Sequence, residues 1–263
     1  MIRISAYDES VTKKMKEDGF AVVSRFFSPE QIVQLQDFFF ETLSLSRVEL
    51  PFFTTHWSSN AEYRKLINEA VIEKTKSTLD AHFDFYKCIF GYYLFKKPSE
   101  QGGVFMHKDW TLIDEEHFVG YTLWIPLVDT SIENGCFEVV PRSHQKNTQP
   151  RGSNISQDYP DTSPDDFRAV PVKAGDAIIF DHRLLHSSPP NLSETDRLAV
   201  GLSIVPKDAA VIHYFHKLET GETTRNEVGD DFLIKSFYDY AHKEPADYIL
   251  KIIANQKSNN STP

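Results

Sequence analysis

The chain has 263 residues, 40% hydrophobic and 25% charged, a composition of ordinary globular proteins, and its formal net charge of −10 argues against nucleic-acid or anionic-membrane partners. Its two cysteines cannot build a disulfide framework and suit a reducing compartment. No apolar h-region opens the chain, and the longest apolar stretch, 119–128, is too short to span a bilayer, so the expectation is a cytoplasmic protein with no membrane partner.

The first third reads as helical with one strand set in it. Residues 20–27 (FAVVSRFF) are apolar and β-branched, the signature of a strand. Ser28, Pro29 and Gln31 then supply an N-cap, a first helical position and a capping box for a helix. A second helix is expected over 60–82, where Tyr63, Leu66, Ile67, Val71 and Ile72 fall at helical spacing. After that the period changes. Residues 83–95, 118–128, 136–140, 167–172, 177–180 and 198–205 read as short strands separated by Gly, Pro, Asn and Ser clusters. Many short strands with turn signals indicate a sandwich or barrel, and a jelly roll is one such architecture. The polar segment 147–166 is a long loop, either a lid or binding loop or a surface excursion.

The stretch FMHKDW (105–110) continues the strand pattern and puts His107 and Asp109 two positions apart, on one face of a strand. A buried carboxylate is costly unless it is paired or binds a metal. Downstream, His182 and His186 each offer a third ligand. Two imidazoles and one carboxylate on one face of an octahedral ion leave open positions and suit Fe(II) that activates O2. Arg197 follows His186 by 197 − 186 = 11 residues. A guanidinium there can hold a carboxylate with two parallel hydrogen bonds, so 2-oxoglutarate could chelate the iron and rest its far carboxylate on Arg197. Met106 and Trp110 have the opposite parity and read as core packing. His117 and His144 read as loop or surface residues, and Glu115 with its acidic neighbours as a solvated turn.

Taken in order, DGFAVVSRFFSPEQI, FKKP, HKDW, WIPLVDTSIENGCFEVVPRSH, GDAIIF, the pattern of His186, Ser188 and Asn191, and Arg197 resemble the phytanoyl-CoA dioxygenase-like family of Fe(II)/2-oxoglutarate-dependent oxygenases. The resemblance covers roughly 18–206. It implies a mainly β fold with flanking helices, a double-stranded β-helix (jelly roll, cupin-like). It implies His107, Asp109 and His186 as metal ligands, with Arg197 and Ser188 on the distal carboxylate of 2-oxoglutarate and Thr122 and Trp124 on the strand lining that pocket. The cofactors implied are Fe(II), 2-oxoglutarate and O2.

The expected organisation is a single oxygenase domain over 1–263. It has a mostly helical part at 1–82, a jelly-roll core at 83–206, a C-terminal extension at 207–250 and a disordered tail at 251–263. The implied reaction hydroxylates an unactivated C–H of a small or carrier-tethered organic substrate and releases succinate and CO2. The retained Asp109 separates the chain from halogenating relatives, which have a small residue there. The alternatives are a non-catalytic metal- or small-molecule-binding jelly roll and a cupin-type metal enzyme that does not use 2-oxoglutarate. A turn usually written P-G-S-H in the family reads PRSH here, which predicts an altered turn or an Arg142 aimed at a substrate anion.

Overall fold

The structure, a computed structural model, describes residues 3–4, 9–46, 50–146 and 148–235; the expected tail at 251–263 lies outside them. In chain order the elements are β1 (Arg3–Ile4), α1 (Glu9–Asp18), β2 (Phe20–Val23), α2 (Pro29–Thr42), β3 (Phe52–Thr54), α3 (Ala61–His82), β4 (Phe83–Asp84), β5 (Tyr86–Lys96) and β6 (Val104–His107). They continue with β7 (Tyr121–Pro126), β8 (Phe137–Val139), β9 (Arg168–Val170), β10 (Ala177–Asp181), β11 (His186–Ser188), β12 (Arg197–Pro206), β13 (Val211–Lys217), β14 (Glu222–Val228) and α4 (Phe232–Lys235). No described helix is long and apolar enough to cross a membrane.

Both long helices begin where their capping residues place them. The Ser28 hydroxyl accepts from the Gln31 N–H and the Gln31 side chain returns to the Ser28 N–H, with Pro29 at the first position of α2. The Asn60 side chain accepts from the Tyr63 N–H and opens α3.

Two antiparallel sheets face each other. One has the order β2-β10-β7-β12-β5-β3, the other β6-β11-β8-β9, and together they form a jelly roll, or double-stranded β-helix. The larger sheet is buried on both faces, which is why its strands read as continuous apolar runs. On β12, Leu198, Val200, Leu202 and Ile204 pack outward under α2 and α3 with Leu35, Phe39, Tyr63, Ile67 and Val71. Phe39 meets the rings of Tyr93 and Phe95 at 5.0 and 5.1 Å, a burial that stabilises by about 1.5–3 kcal/mol. The alternate residues of β12 face inward and are small apart from the first: Arg197, Ala199, Gly201 and Ser203. Near one end of the sandwich Trp124, Ile178, Phe180 and Ala199 meet Phe137, Val139 and Val170 of the smaller sheet; elsewhere the small β12 side chains leave a cavity.

Several expected strands are shorter than the apolar runs that announced them. The run 20–27 stops at Val23, because Arg25 takes a left-handed φ of 55° and its N–H donates to Asp176 Oδ1. Phe26 and Phe27 then enter the core outside any strand. Phe85, with φ 56°, breaks the run 83–95 into β4 and β5. The PRSH turn keeps the shape that glycine favours: Arg142 has φ 69° and ψ 0°. Its exposed side chain lies 3.8 Å from Asp18 and does not line the cavity, so the expectation of an altered turn or an anion-directed Arg142 is corrected. His144 is buried, not a surface residue, and bonds to the Lys16 carbonyl at the end of α1.

Of the residues beyond 206, those described, 207–235, include the β13–β14 hairpin and α4, and the rest of the expected extension, 236–250, lies outside the described residues. His213 on β13 is buried against Trp110 and Phe232 and bonds to the Ser153 hydroxyl at 3.0 Å. Burial pushes its pKa down from 6.5 to about 4. Between those values the unfolded chain takes up a proton at this position and the folded chain does not. This contribution to stability therefore falls as pH drops from 6.5 and levels off below about 4. From pH 7 to 4.5 the loss is about 2–3 kcal/mol. Urea unfolding at both pH values, with chelator present, should show a smaller loss for His213→Gln than for the parent. An equal loss in the two proteins would contradict a buried neutral His213.

Candidate active site

His107 on β6 and His186 on β11 lie directly opposite each other in antiparallel register, with ring centroids 4.2 Å apart. Each ring bonds through Nδ1 to a backbone carbonyl two residues earlier, His107 to Phe105 at 2.8 Å and His186 to Leu184 at 2.9 Å. A carbonyl only accepts, so Nδ1 carries the proton and Nε2 of the neutral ring is left as an electron-pair donor. Asp109 Oδ2 accepts from the Thr122 hydroxyl at 2.6 Å, and Oδ1 lies 3.8 Å from His186 Nε2. One ligand atom from each of the three residues falls within 4.8 Å of the others. Burial pushes His186 down to about 4, so it is neutral at pH 7. Burial acts to raise Asp109, but His186, His182, His107 and the Thr122 hydrogen bond outweigh it and hold the carboxyl below its usual range. His182 is outside the cluster: its Nε2 bonds to Ser203 Oγ at 3.1 Å.

Asp109 reaches this position by a route other than strand parity. β6 ends at His107, and the next residues are clamped from the loop at 148–166. The Lys108 N–H donates to Gln157 Oε1 at 3.0 Å, and its carbonyl accepts from Gln157 Nε2 at 3.2 Å. One side-chain amide thus takes both backbone groups of the residue between His107 and Asp109. Arg151 Nε donates to the Asp109 carbonyl at 2.6 Å, and its other end pairs with Glu115, which is therefore not part of a solvated turn. Thr111 and Arg151 exchange two more hydrogen bonds of 3.1 Å. The loop is docked on the site and sets the position of Asp109 relative to His107. Gln157→Ala should weaken metal binding about 10–100-fold, the usual cost of losing a group that orients ligands. Anaerobic Co(II) titration checks this, and an unchanged affinity would contradict the clamp.

At the other end of the cavity Arg197 lines the wall, with Lys96 beside it. Arg197 and Lys96 are direct cross-strand partners on β12 and β5, both almost fully buried. Arg197 Nη1 donates to the Gly135 carbonyl at 2.7 Å and to Ser188 Oγ at 3.0 Å, while Nε has no partner. Lys96 Nζ donates to the Ser188 carbonyl and hydroxyl, each at 2.8 Å, and to the Pro189 carbonyl. Gly135 fits because a Cβ there would sit 2.3 Å from the Pro189 carbonyl oxygen, and its φ is +71°. Burial lowers the pKa of Arg197 to about 9, and burial and then Arg197 lower that of Lys96. Like charges directly opposite on a sheet are destabilising. Trp124 lies under the Arg197 guanidinium at 5.3 Å and stacks on Phe137, which stacks on His186, so one aromatic wall joins the two ends.

The cavity between them measures about 300 Å³ and takes in all seven residues singled out from sequence: His107, Asp109, His186, Arg197, Ser188, Thr122 and Trp124. Lys96, Gln157 and Arg151 were not singled out; only the strand register and the loop's return reveal them. Trp110 packs against the core as expected and also lines the cavity, whereas Met106, expected in the core, is exposed. Leu233 of α4 also lines it, so the region beyond 206 contributes to the site.

A phytanoyl-CoA dioxygenase from Arabidopsis thaliana is 34% identical over 124 residues, 44% of this chain and 43% of its own length. A phytanoyl-CoA dioxygenase domain-containing protein 1 homolog from Dictyostelium discoideum is 30% identical over 133 residues, 46% of this chain and 47% of its own. The chain thus spans under half the length of these relatives. Among solved structures, the non-heme alpha ketoglutarate dependent carbocyclase SnoK from nogalamycin biosynthesis matches with TM-score 0.59 and 23% identity, over 78% of this chain and 86% of that one. EvdO2 from Micromonospora carbonacea var. aurantiaca, complexed with 2-oxoglutarate, matches with TM-score 0.59 and 18% identity, over 87% and 96%. These two share the fold. The family model for phytanoyl-CoA dioxygenase (PhyH) matches residues 15–199, more than half the chain and every one of the seven site residues, and the chain belongs to that family.

Proposed function

We propose that this chain is an Fe(II)/2-oxoglutarate-dependent dioxygenase that hydroxylates an unactivated C–H bond of a small or carrier-tethered organic substrate in the cytoplasm. The observation that carries this is the buried Arg197 guanidinium, its Nε without a partner, lining the same cavity as a His–Asp–His cluster, and the only carboxylate among the described lining residues is Asp109. A dicarboxylate fits that charge layout. A non-catalytic binding module, or a metal enzyme that does not use 2-oxoglutarate, leaves the buried Arg197 guanidinium without an anion.

The donor set fits the ion. Two neutral imidazole nitrogens and one carboxylate oxygen, with no thiolate, suit a divalent iron that keeps open positions. When bound, Fe(II) would allow O2 to oxidise 2-oxoglutarate to succinate and CO2, with one oxygen atom entering succinate and the other the new hydroxyl of the second substrate. The protein supplies position and dryness. His107, Asp109 and His186 would hold the metal, and the Nδ1–carbonyl bonds fix which nitrogen points inward. Thr122 holds Asp109 in one rotamer. Arg197, with Ser188 beside it, would take the distal carboxylate, and Lys96 adds positive potential behind them. Trp124 and Phe137 would shield that contact from water.

The test is calorimetry of 2-oxoglutarate with the Fe(II)-loaded protein under argon, followed by succinate release in air. Binding and O2-dependent succinate support the proposal. Absence of 2-oxoglutarate binding overturns it.

A further inference from the structure

On the strength of that oxygenase proposal, we infer that the second substrate is a free, uncharged small molecule with a flat apolar body, and not a coenzyme A thioester. Beyond the His–Asp–His cluster the cavity is walled by aromatic rings. Phe90 and Tyr92 stack at 4.7 Å, and His56 sets its edge against both at 5.2 Å. Trp57, Trp110 and Leu233 line the same space. The Tyr92 ring is held flat on bare backbone: a Cβ on Gly201, its cross-strand partner, would lie 2.3 Å from the ring. Such rings favour offset stacking or edge contact with a flat partner.

Charge points the same way. The cationic side chains among the described lining residues are Lys108 and Arg197. Lys108 Nζ is turned onto the Ser143 and Lys146 carbonyls, and Arg197 onto Gly135 and Ser188. Neither is placed to neutralise the phosphates of coenzyme A, and a chain of net charge −10 repels a polyanion. An anionic group carried into this apolar end would be stripped of water with no cation among the described rings that wall it. The volume of about 300 Å³ is at the small end for ligand pockets.

The test uses matched probes on the Fe(II)- and 2-oxoglutarate-loaded protein under argon, read by calorimetry. 2-Naphthalenemethanol should bind at least tenfold more tightly than 2-naphthoate, which has the same ring system and a negative charge, and hexanoyl-CoA should show no heat. Trp57→Ala should weaken 2-naphthalenemethanol about tenfold and leave the 2-oxoglutarate affinity in place. Leu233→Ala is the second variant, with the same expectation, should Trp57→Ala fold poorly. Hexanoyl-CoA or 2-naphthoate binding as tightly as the alcohol overturns the inference, as does failure of 2-naphthalenemethanol to bind while 2-oxoglutarate does. Failure of 2-oxoglutarate itself to bind overturns the oxygenase proposal, and this inference with it.

Discussion

His107→Ala, Asp109→Ala and His186→Ala are each expected to abolish 2-oxoglutarate turnover and to weaken Fe(II) binding by more than about a hundredfold. Each removes one of three atoms that lie within 4.8 Å of each other and are proposed to hold the metal, whereas loss of a group that merely orients a ligand already costs about 10–100-fold. His182→Ala is the control. Its ring is buried and bonded to Ser203, so its loss should cost stability, about 1–3 kcal/mol, and leave metal affinity within a few-fold. Anaerobic Fe(II) titration separates the four proteins. Loss of iron binding in His182→Ala with retention in His186→Ala would reverse the assignment.

The second large effect belongs to Arg197. Arg197→Lys keeps the charge and loses the two-pronged fork, while Ser188 and the Gly135 carbonyl lose a donor held at 3.0 and 2.7 Å. A charged hydrogen bond contributes about 1.5–3 kcal/mol, so the 2-oxoglutarate dissociation constant should rise about 10- to 100-fold with Fe(II) affinity little changed. Lys96→Met should raise it less, because Lys96 is satisfied by Ser188 and Pro189 and acts on the ligand mainly through its field. Calorimetry on the metal-loaded variants checks both. An unchanged constant for Arg197→Lys would move the carboxylate anchor elsewhere.

The chemistry-bearing residues were legible because each is a type with few other uses in its setting. An H-x-D step, a histidine and a downstream arginine carry their meaning in order and spacing. The physical route to their geometry was not legible. His107 and Asp109 suggested one face of a strand, yet the strand ends between them and Gln157, fifty residues on, sets the turn. β11 went unseen because His186, Ser187 and Ser188 carry no apolar pattern; they are paired on both sides by β6 and β8. Lys96 was hidden for a related reason. Its opposition to Arg197 exists only once the register of β5 against β12 is fixed. The inward parity of β12 was also masked, since both faces of the larger sheet are buried and Ala199, Gly201 and Ser203 read as ordinary strand filler between Leu, Val and Ile.

Anaerobic titration of the Fe(II)-loaded protein with 2-oxoglutarate, followed in the visible region, is the most direct measurement of what this cavity is for. Chelation of the iron by the keto-acid end should give a weak charge-transfer band that saturates at one equivalent, disappears in His186→Ala, and needs a higher 2-oxoglutarate concentration in Arg197→Lys. A protein that binds Fe(II) yet shows no band and no heat with 2-oxoglutarate would contradict a 2-oxoglutarate-dependent oxygenase.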